Sequence, residues 1–289
     1  MDGLASAWDP APAVVVGAGV VLALFVQAFV RLRLRGRADY ADWSRPLLFV
    51  LAVALGTLPL VSPLDEIGDS YLLSGHMLQH VLIGDAAPAL ALVAVRGPLL
   101  FFLVPAAVLA RLARLRPLRS LLAFLLRPVT SLTVWLLVIA GWHVPAAYDY
   151  ALRNQTVHDL EHLSFIVAGV LVWMQIVDPA RRHRLSTAQR LAYMLVIFAA
   201  GSVLAGLLIA STAPLYPAYA AYGPRLLGIS PLRDEQLAGI VMVTEQLATL
   251  GACCYFLLRA RVRIDSHRAE ARVLVPVRDE VLRLRVHSG

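Results

Sequence analysis

Long apolar runs alternate with short arginine-bearing segments along this chain. A helix needs about 20 apolar residues to cross the hydrocarbon core of a bilayer, with roughly 17–25 tolerated. Seven runs meet or approach that length: Ala11–Val30, Pro46–Val61, Tyr71–Val95, Val129–Trp142, His158–Ile176, Leu191–Ala210 and Leu237–Leu258. The second and fourth are short and need flanking residues to reach across. A further run, Pro98–Ala110, is too short to span and leads into Arg111, Arg114, Arg116 and Arg119. It reads as an amphipathic segment lying in the interface. The pattern predicts an all-α polytopic membrane bundle of about seven transmembrane helices. The bundle occupies residues 1–260 and is followed by a basic tail over 261–289.

Arginine sets the orientation. All 26 basic residues are arginine, and 23 of them fall in Arg31–Arg45, Arg96–Arg127, Arg181–Arg190 and the stretch from Arg259 onward. The connections on the opposite side hold only Arg153, Arg225 and Arg233. Basic residues mark the cytoplasmic side, so the N-terminus is expected outside and the C-terminus inside. The alternation holds across all seven spans and so supports their number. Met1–Pro10 has no basic stretch ahead of the first apolar run, which predicts an anchor and not a cleaved signal peptide.

Composition agrees with a membrane protein: 59% of residues are hydrophobic and 16% charged, against about 25% charged in soluble domains. The net charge of +7 follows membrane topology rather than one face, so nucleic acid is not an expected partner. The basic tail suits anionic lipid or a protein partner. Cys253 and Cys254 are adjacent and point about 100° apart on a helix, so they read as packing residues and not as a disulfide framework. There is no nucleophile elbow, P-loop or dinucleotide fingerprint.

The chemistry lies in histidine. His76 and His80 open the third span at i, i+4, and His158 and His162 open the fifth with the same spacing. That spacing puts two imidazoles on one helix face, within reach of one ion. His143 ends the fourth span. The topology brings all five to the outer membrane surface, whereas His183, His267 and His287 fall among cytoplasmic arginines. One interfacial histidine is an ordinary anchor or cap; two spaced pairs and a fifth at one level point to a metal site. Histidine clusters suit copper, zinc, iron or haem, and spacing does not choose among them. Glu161 shares the face of the second pair and suits a carboxylate that orients a ligand. Met77 points away from its neighbour His76 and reads as packing. Two acids are buried in spans, Asp85 roughly 13 Å below His76 and Glu245 at a similar depth in the last span. They are placed to share a proton or a hydrogen bond.

Several stretches together carry a resemblance: His76-Met-Leu-Gln-His80 running to Ala87-Pro88, Trp142-His143-Val-Pro145 with Tyr148, His158-Asp-Leu-Glu-His162-Leu-Ser164, Leu215-Tyr-Pro-Ala-Tyr219, and Pro231-Leu-Arg-Asp-Glu-Gln-Leu-Ala-Gly239 running to Met242. In this order, over roughly Pro46 to Leu258, they resemble the CtaG-like family of bacterial cytochrome c oxidase assembly proteins, of the multi-span membrane type. The resemblance implies a non-enzymatic factor in the bacterial plasma membrane that supplies copper to a haem-copper oxidase subunit. It implies His76, His80, His143, His158 and His162 as the metal ligands, and adds Met242 as a soft ligand beneath them. Asp85 and Glu245 depart from the family pattern. The alternatives are a zinc-dependent membrane hydrolase with Glu161 or Asp159 as base, a haem-binding electron-transfer protein with two histidines as axial ligands, and a copper transporter, which the absence of a methionine ladder disfavours.

Overall fold

The computed structural model describes residues 7–221 and 226–286, with side chains, Ala220 apart, through Arg263 and at Ser266. Arg225 and, in the basic tail, the side chains of 264, 265 and 267–289, with His267 and His287 among them, lie outside the described residues. The fold is 82% helical, with no strand among the described residues. The transmembrane helices are α1 (Pro12–Leu34), α2 (Ser44–Val61), the pair α4 (Leu73–Val81) and α5 (Ala87–Ala94) joined by the wide turn Leu82–Ala86, α11 (Gln155–Val177), α12 (Thr187–Ile209) and α14 (Pro231–Val286). Each is long and apolar enough to cross a bilayer, α14 over Pro231–Arg263. The chain is thus a multi-pass membrane protein. The outward-facing positions fit lipid: Val16, Leu47, Leu137, Leu195 and Val203 are all exposed.

The predicted fourth span is α9 (Pro128–Trp142), of 15 residues. At 1.5 Å per residue it covers roughly 22 Å, short of a full crossing. It reaches spanning length only together with α8 (Arg116–Leu125), from which it is bent by 76°. The number of spans is accordingly six, or seven with this bent pair. The predicted interfacial segment breaks into α6 (Pro98–Phe102) and α7 (Ala106–Arg114), followed by α8; neither α7 nor α8 buries any residue. Short helices fill the connections at the histidine end: α3 (Pro63–Ser70), α10 (Pro145–Leu152) and α13 (Pro217–Ala221).

The arginine end is held by polar staples over an apolar core. Gln27 donates to the carbonyls of Phe102 and Leu103 at 2.7 and 2.9 Å. Arg45 donates to the carbonyls of Ala94 and Arg96 at 3.0 and 2.6 Å. Asp178 ends α11 in the left-handed region, which a short polar side chain tolerates; its carboxylate takes the amides of Arg182 and His183 and pairs with buried Arg190 at 2.9 Å. Between these staples lie Phe25, Phe49, Leu99, Trp173, Ile176 and Ile197, all buried. Cys253 and Cys254 pack against this cluster as free thiols.

The turn Leu82–Ala86 has π-type hydrogen bonding. Pro88 has no N–H to give the Gly84 carbonyl, and a wide turn absorbs that loss. Here α11 approaches so closely that a Cβ on Gly169 would fall 1.8 Å from the Gly84 oxygen; only glycine fits.

Candidate metal centre

The histidine helices are fixed by their N-termini. The first amides of α4, from Leu73 and Ser74, donate to the carboxylate of Asp234 at 2.7 and 3.1 Å, and the Ser74 hydroxyl donates to it at 2.5 Å. Asp234 is 1% exposed and comes from the first turn of α14. A carboxylate there satisfies orphan amides and complements the positive end of the helix dipole. Next to it, Glu235 takes the Leu215 amide at 2.7 Å and ties the outer loop down. The side chain of Asn154 caps α11 through the Val157 amide. Gln79, fully buried between the two α4 histidines, donates to the Pro59 carbonyl at 3.0 Å and to Asp65 at 2.6 Å.

The two predicted pairs meet face to face. Ring centroids of His76 and His80 are 4.2 Å apart, those of His158 and His162 4.2 Å, and across the helices His76–His158 is 5.3 Å and His80–His162 5.1 Å. All four are buried. Ligand atoms of His76, His80 and His162 lie within 4.8 Å of one another. Asp69, from α3, forms a second such group with His76 and His158, its Oδ1 standing 3.3 Å from His76 Nδ1 and 3.5 Å from His158 Nε2. Its side chain is 32% exposed, so it forms the outer edge of the cluster. Glu161, 1% exposed, places a carboxylate oxygen 3.8 Å from His80 Nε2, an ion-pair distance rather than a hydrogen bond.

His143 is also buried but stands across Phe165, whose ring lies 4.5 Å from His80 and 6.4 Å from His143. Its Nδ1 lies 2.8 Å from the Ile139 carbonyl, while its Nε2 has no hydrogen-bond partner. It shares with His80 a cavity of about 50 Å³, whose wall also includes Met77, Met242, Asp85 and Glu245. The structure thus joins four predicted histidines directly and the fifth, with Met242, through this cavity. Met77, read from the sequence as packing, is 1% exposed and also faces it.

Tyrosines close the top. The Tyr148 ring lies 5.1 Å from His76, and its hydroxyl is 3.1 Å from that of Tyr219. Tyr219 donates to the Gly68 carbonyl at 2.5 Å, and Tyr216 to the His143 carbonyl at 3.0 Å. Burial and the neighbouring Tyr219 push the Tyr148 phenol well above its ordinary range, so it stays a neutral donor. Burial, reinforced by the charge of Asp69, lifts Asp65 to about 7 against the opposing hydrogen bond from Gln79.

The site contains groups that spacing along the sequence does not reveal. Asp69 sits on a separate short helix with no repeat to mark it. Asp234 lies within a stretch that the resemblance includes, but its role depends on a contact 161 residues away. Asp69 follows the Ser62 cap that starts α3, and that cap is the available local signal that the acid is held in a helix beside the site.

A family model described as cytochrome c oxidase caa3 assembly factor matches residues 23–263. No curated protein and no solved structure matches the chain.

Proposed function

The chain belongs to the cytochrome c oxidase caa3 assembly factor family, and from that premise we propose that it binds copper at its outer face and hands it to an oxidase subunit in the bacterial plasma membrane. The ligands are His76, His80 and His162, with His158 and Asp69 at the outer edge and His143 and Met242 on the cavity side. One observation carries the reading. Both ring nitrogens of His80, Nε2 of His76, Nε2 of His162 and both oxygens of Glu161 are buried without a hydrogen-bond partner. Buried polar atoms are almost always paired, so a converging set of orphan donors suits an ion.

The donor set fits copper. Imidazole suits it, and thioether sulfur favours the cuprous state. Bonds of about 2.0–2.1 Å to nitrogen require ligand atoms roughly 3.3–3.5 Å apart, so the three imidazoles, now within 4.8 Å, close by an ångström or so around the ion. Asp69 is the exposed point through which the ion enters and leaves, and the cap formed by Tyr216 and Tyr219 limits release. Glu161 supplies a negative charge beside the bound cation.

Membership of an assembly-factor family supports delivery rather than turnover.

The test is metal content with an optical spectrum on protein purified in detergent after growth with copper, beside the His76→Ala/His80→Ala double variant. Copper near one per chain, lost in the variant, is expected. Zinc in its place moves the reading to hydrolysis, a Soret band moves it to haem, and no metal in either protein overturns it.

A further inference from the structure

Beneath the histidines the same cavity ends on two carboxyl groups. Asp85 lies in the wide turn Leu82–Ala86 and accepts hydrogen bonds from the Trp173 indole and, at 3.1 Å, from the Thr249 hydroxyl. Glu245, from α14, faces Asp85 within hydrogen-bonding reach, with the Thr249 hydroxyl beside both carboxyl groups. No arginine lines the cavity to balance either charge. The groups facing the pair are neutral: Trp173 from α11, Thr249 and Gln246 from α14, Trp135 from α9 and Gly201 from α12, with His80 and His143 at the far end. Two carboxylates in contact inside a membrane cannot both be ionised without a large penalty while no cation is held nearby, and a cation at the histidine layer reduces that penalty. Asp85, with two donors, is suited to the charged form. Glu245, which the Trp173 indole does not reach, is suited to the form that keeps its proton and donates it to Asp85.

The cavity joins the two acids to the histidine layer. Toward the histidines it reaches His80, 4% exposed with both ring nitrogens unpartnered, and His143, 8% exposed with Nε2 unpartnered. Toward the arginine end it is stopped by the apolar cluster that contains Trp173, Ile197 and Leu250. The cavity of about 50 Å³ has a largely apolar wall with Asp85, Glu245 and Gln246 at one end and His80 and His143 at the other; it exceeds the roughly 10–15 Å³ that one water needs, and these polar ends can hold a short water chain that carries a proton between the acids and the histidine layer.

We propose that Asp85 and Glu245 form a proton-exchange site linked to loading of the histidine centre: the pair holds one proton while the centre is empty and releases it to the outer side when a monovalent cation binds. The inference rests on the reading of the histidines as a cation site. In the exchange the O–H bond of the Glu245 carboxyl breaks, its electron pair stays on the carboxylate, and the proton leaves past His80 and His143. No electron is transferred and nothing is oxidised. One positive charge enters the bundle and one leaves, so the membrane interior stays electrically unchanged. Release of the ion reverses the exchange, which makes unloading easier in acid. The closed inner end makes this a one-sided exchange and not a route across the membrane.

The experiment uses the full-length protein in detergent at pH 7.5 in weak buffer, with silver(I) as a redox-inert monovalent probe. Bound silver and released protons are measured together for the wild type and Glu245→Gln. The expected result is silver bound by both, with about one proton more released per ion by the wild type. Equal proton release with silver bound by both overturns the linkage and leaves the histidine reading standing. Silver bound by neither overturns the histidine reading, and the linkage with it. Should Glu245→Gln not fold, infrared difference spectra of the wild type decide: a carboxylic-acid carbonyl band present in the empty protein and lost on loading supports the proposal, and an unchanged band overturns it.

Discussion

The two ends of this bundle bury polar groups in opposite ways. At the arginine end each buried polar group described has its partner: Asp178 with Arg190 and two amides, Gln27 and Arg45 with helix-end carbonyls. At the histidine end, His76, His80, His162 and Glu161 converge with orphan atoms. Partnered groups fix a structure, whereas unpartnered ones leave the structure with interactions still to make. The difference separates stability from function along one membrane axis, and it dictates that mutations at the two ends act on different measurements.

The largest effect is expected for His76→Ala with His80→Ala. Ion binding falls by at least 100-fold, about 2.7 kcal/mol or more, read as metal content after dialysis. Thermal stability of the ion-free protein changes little, because unsatisfied groups are removed with the packing atoms. A large fall in the melting temperature of the empty variant would mean that these imidazoles are structural. At the other end, Ile176→Ala removes a fully buried side chain. It is expected to destabilise by about 2–5 kcal/mol, with the metal stoichiometry of the folded fraction unchanged, read by thermal unfolding in detergent and metal analysis.

Asp234→Ala falls between the two. It removes the acceptor of two amides and a hydroxyl from the start of α4, and hydrogen bonds to a charged group contribute about 1.5–3 kcal/mol each. Stability should drop by roughly 2–4 kcal/mol, and ion affinity with it, because the helix carrying His76 loses its fixed origin. A variant that unfolds more readily but binds the ion as tightly would detach the cap from the site. The smallest effect is in pH dependence. The folded protein holds Asp65 at about 7, above its ordinary value. The stabilising contribution of its protonated form is therefore complete below the unfolded value and lost as pH rises through about 7. Between pH 5 and 8 the wild type should lose more thermal stability than Asp65→Asn, and parallel curves would show that Asp65 is solvated.

The spans and the four clustered histidines are legible in the sequence because both depend on local period: apolar run length for the helices and i, i+4 spacing for each pair. What is not legible depends on partners distant in sequence or on breaks in regularity. Asp69 is one acid on a connecting helix, and its relation to His158 exists only after folding. The Asp234 cap joins helices far apart in the chain. The bend that leaves α9 short depends on how α8 lies against it. The pairing of Asp85 with Glu245 is half legible: depth in the two spans brings them level, but the Trp173 and Thr249 donors that favour charge on Asp85 appear only in the fold.

The wide turn Leu82–Ala86 has a consequence at the level of the gene. In a regular helix Asp85 stands about half a turn away from His76, facing away from the histidines. The extra residue in the turn changes the rotation between the segments before and after it, and Asp85 comes to share a wall with His80. Deleting a single codon within 82–84 would return the segment to ordinary α-helical phase, place the acid four residues after His80 and about 40° from it around the axis, and turn the segment after the turn against its neighbours, while leaving every histidine codon intact. A small change in reading length, with no change in the ligand set, is enough to reset the angle between the histidines and the acid beneath them.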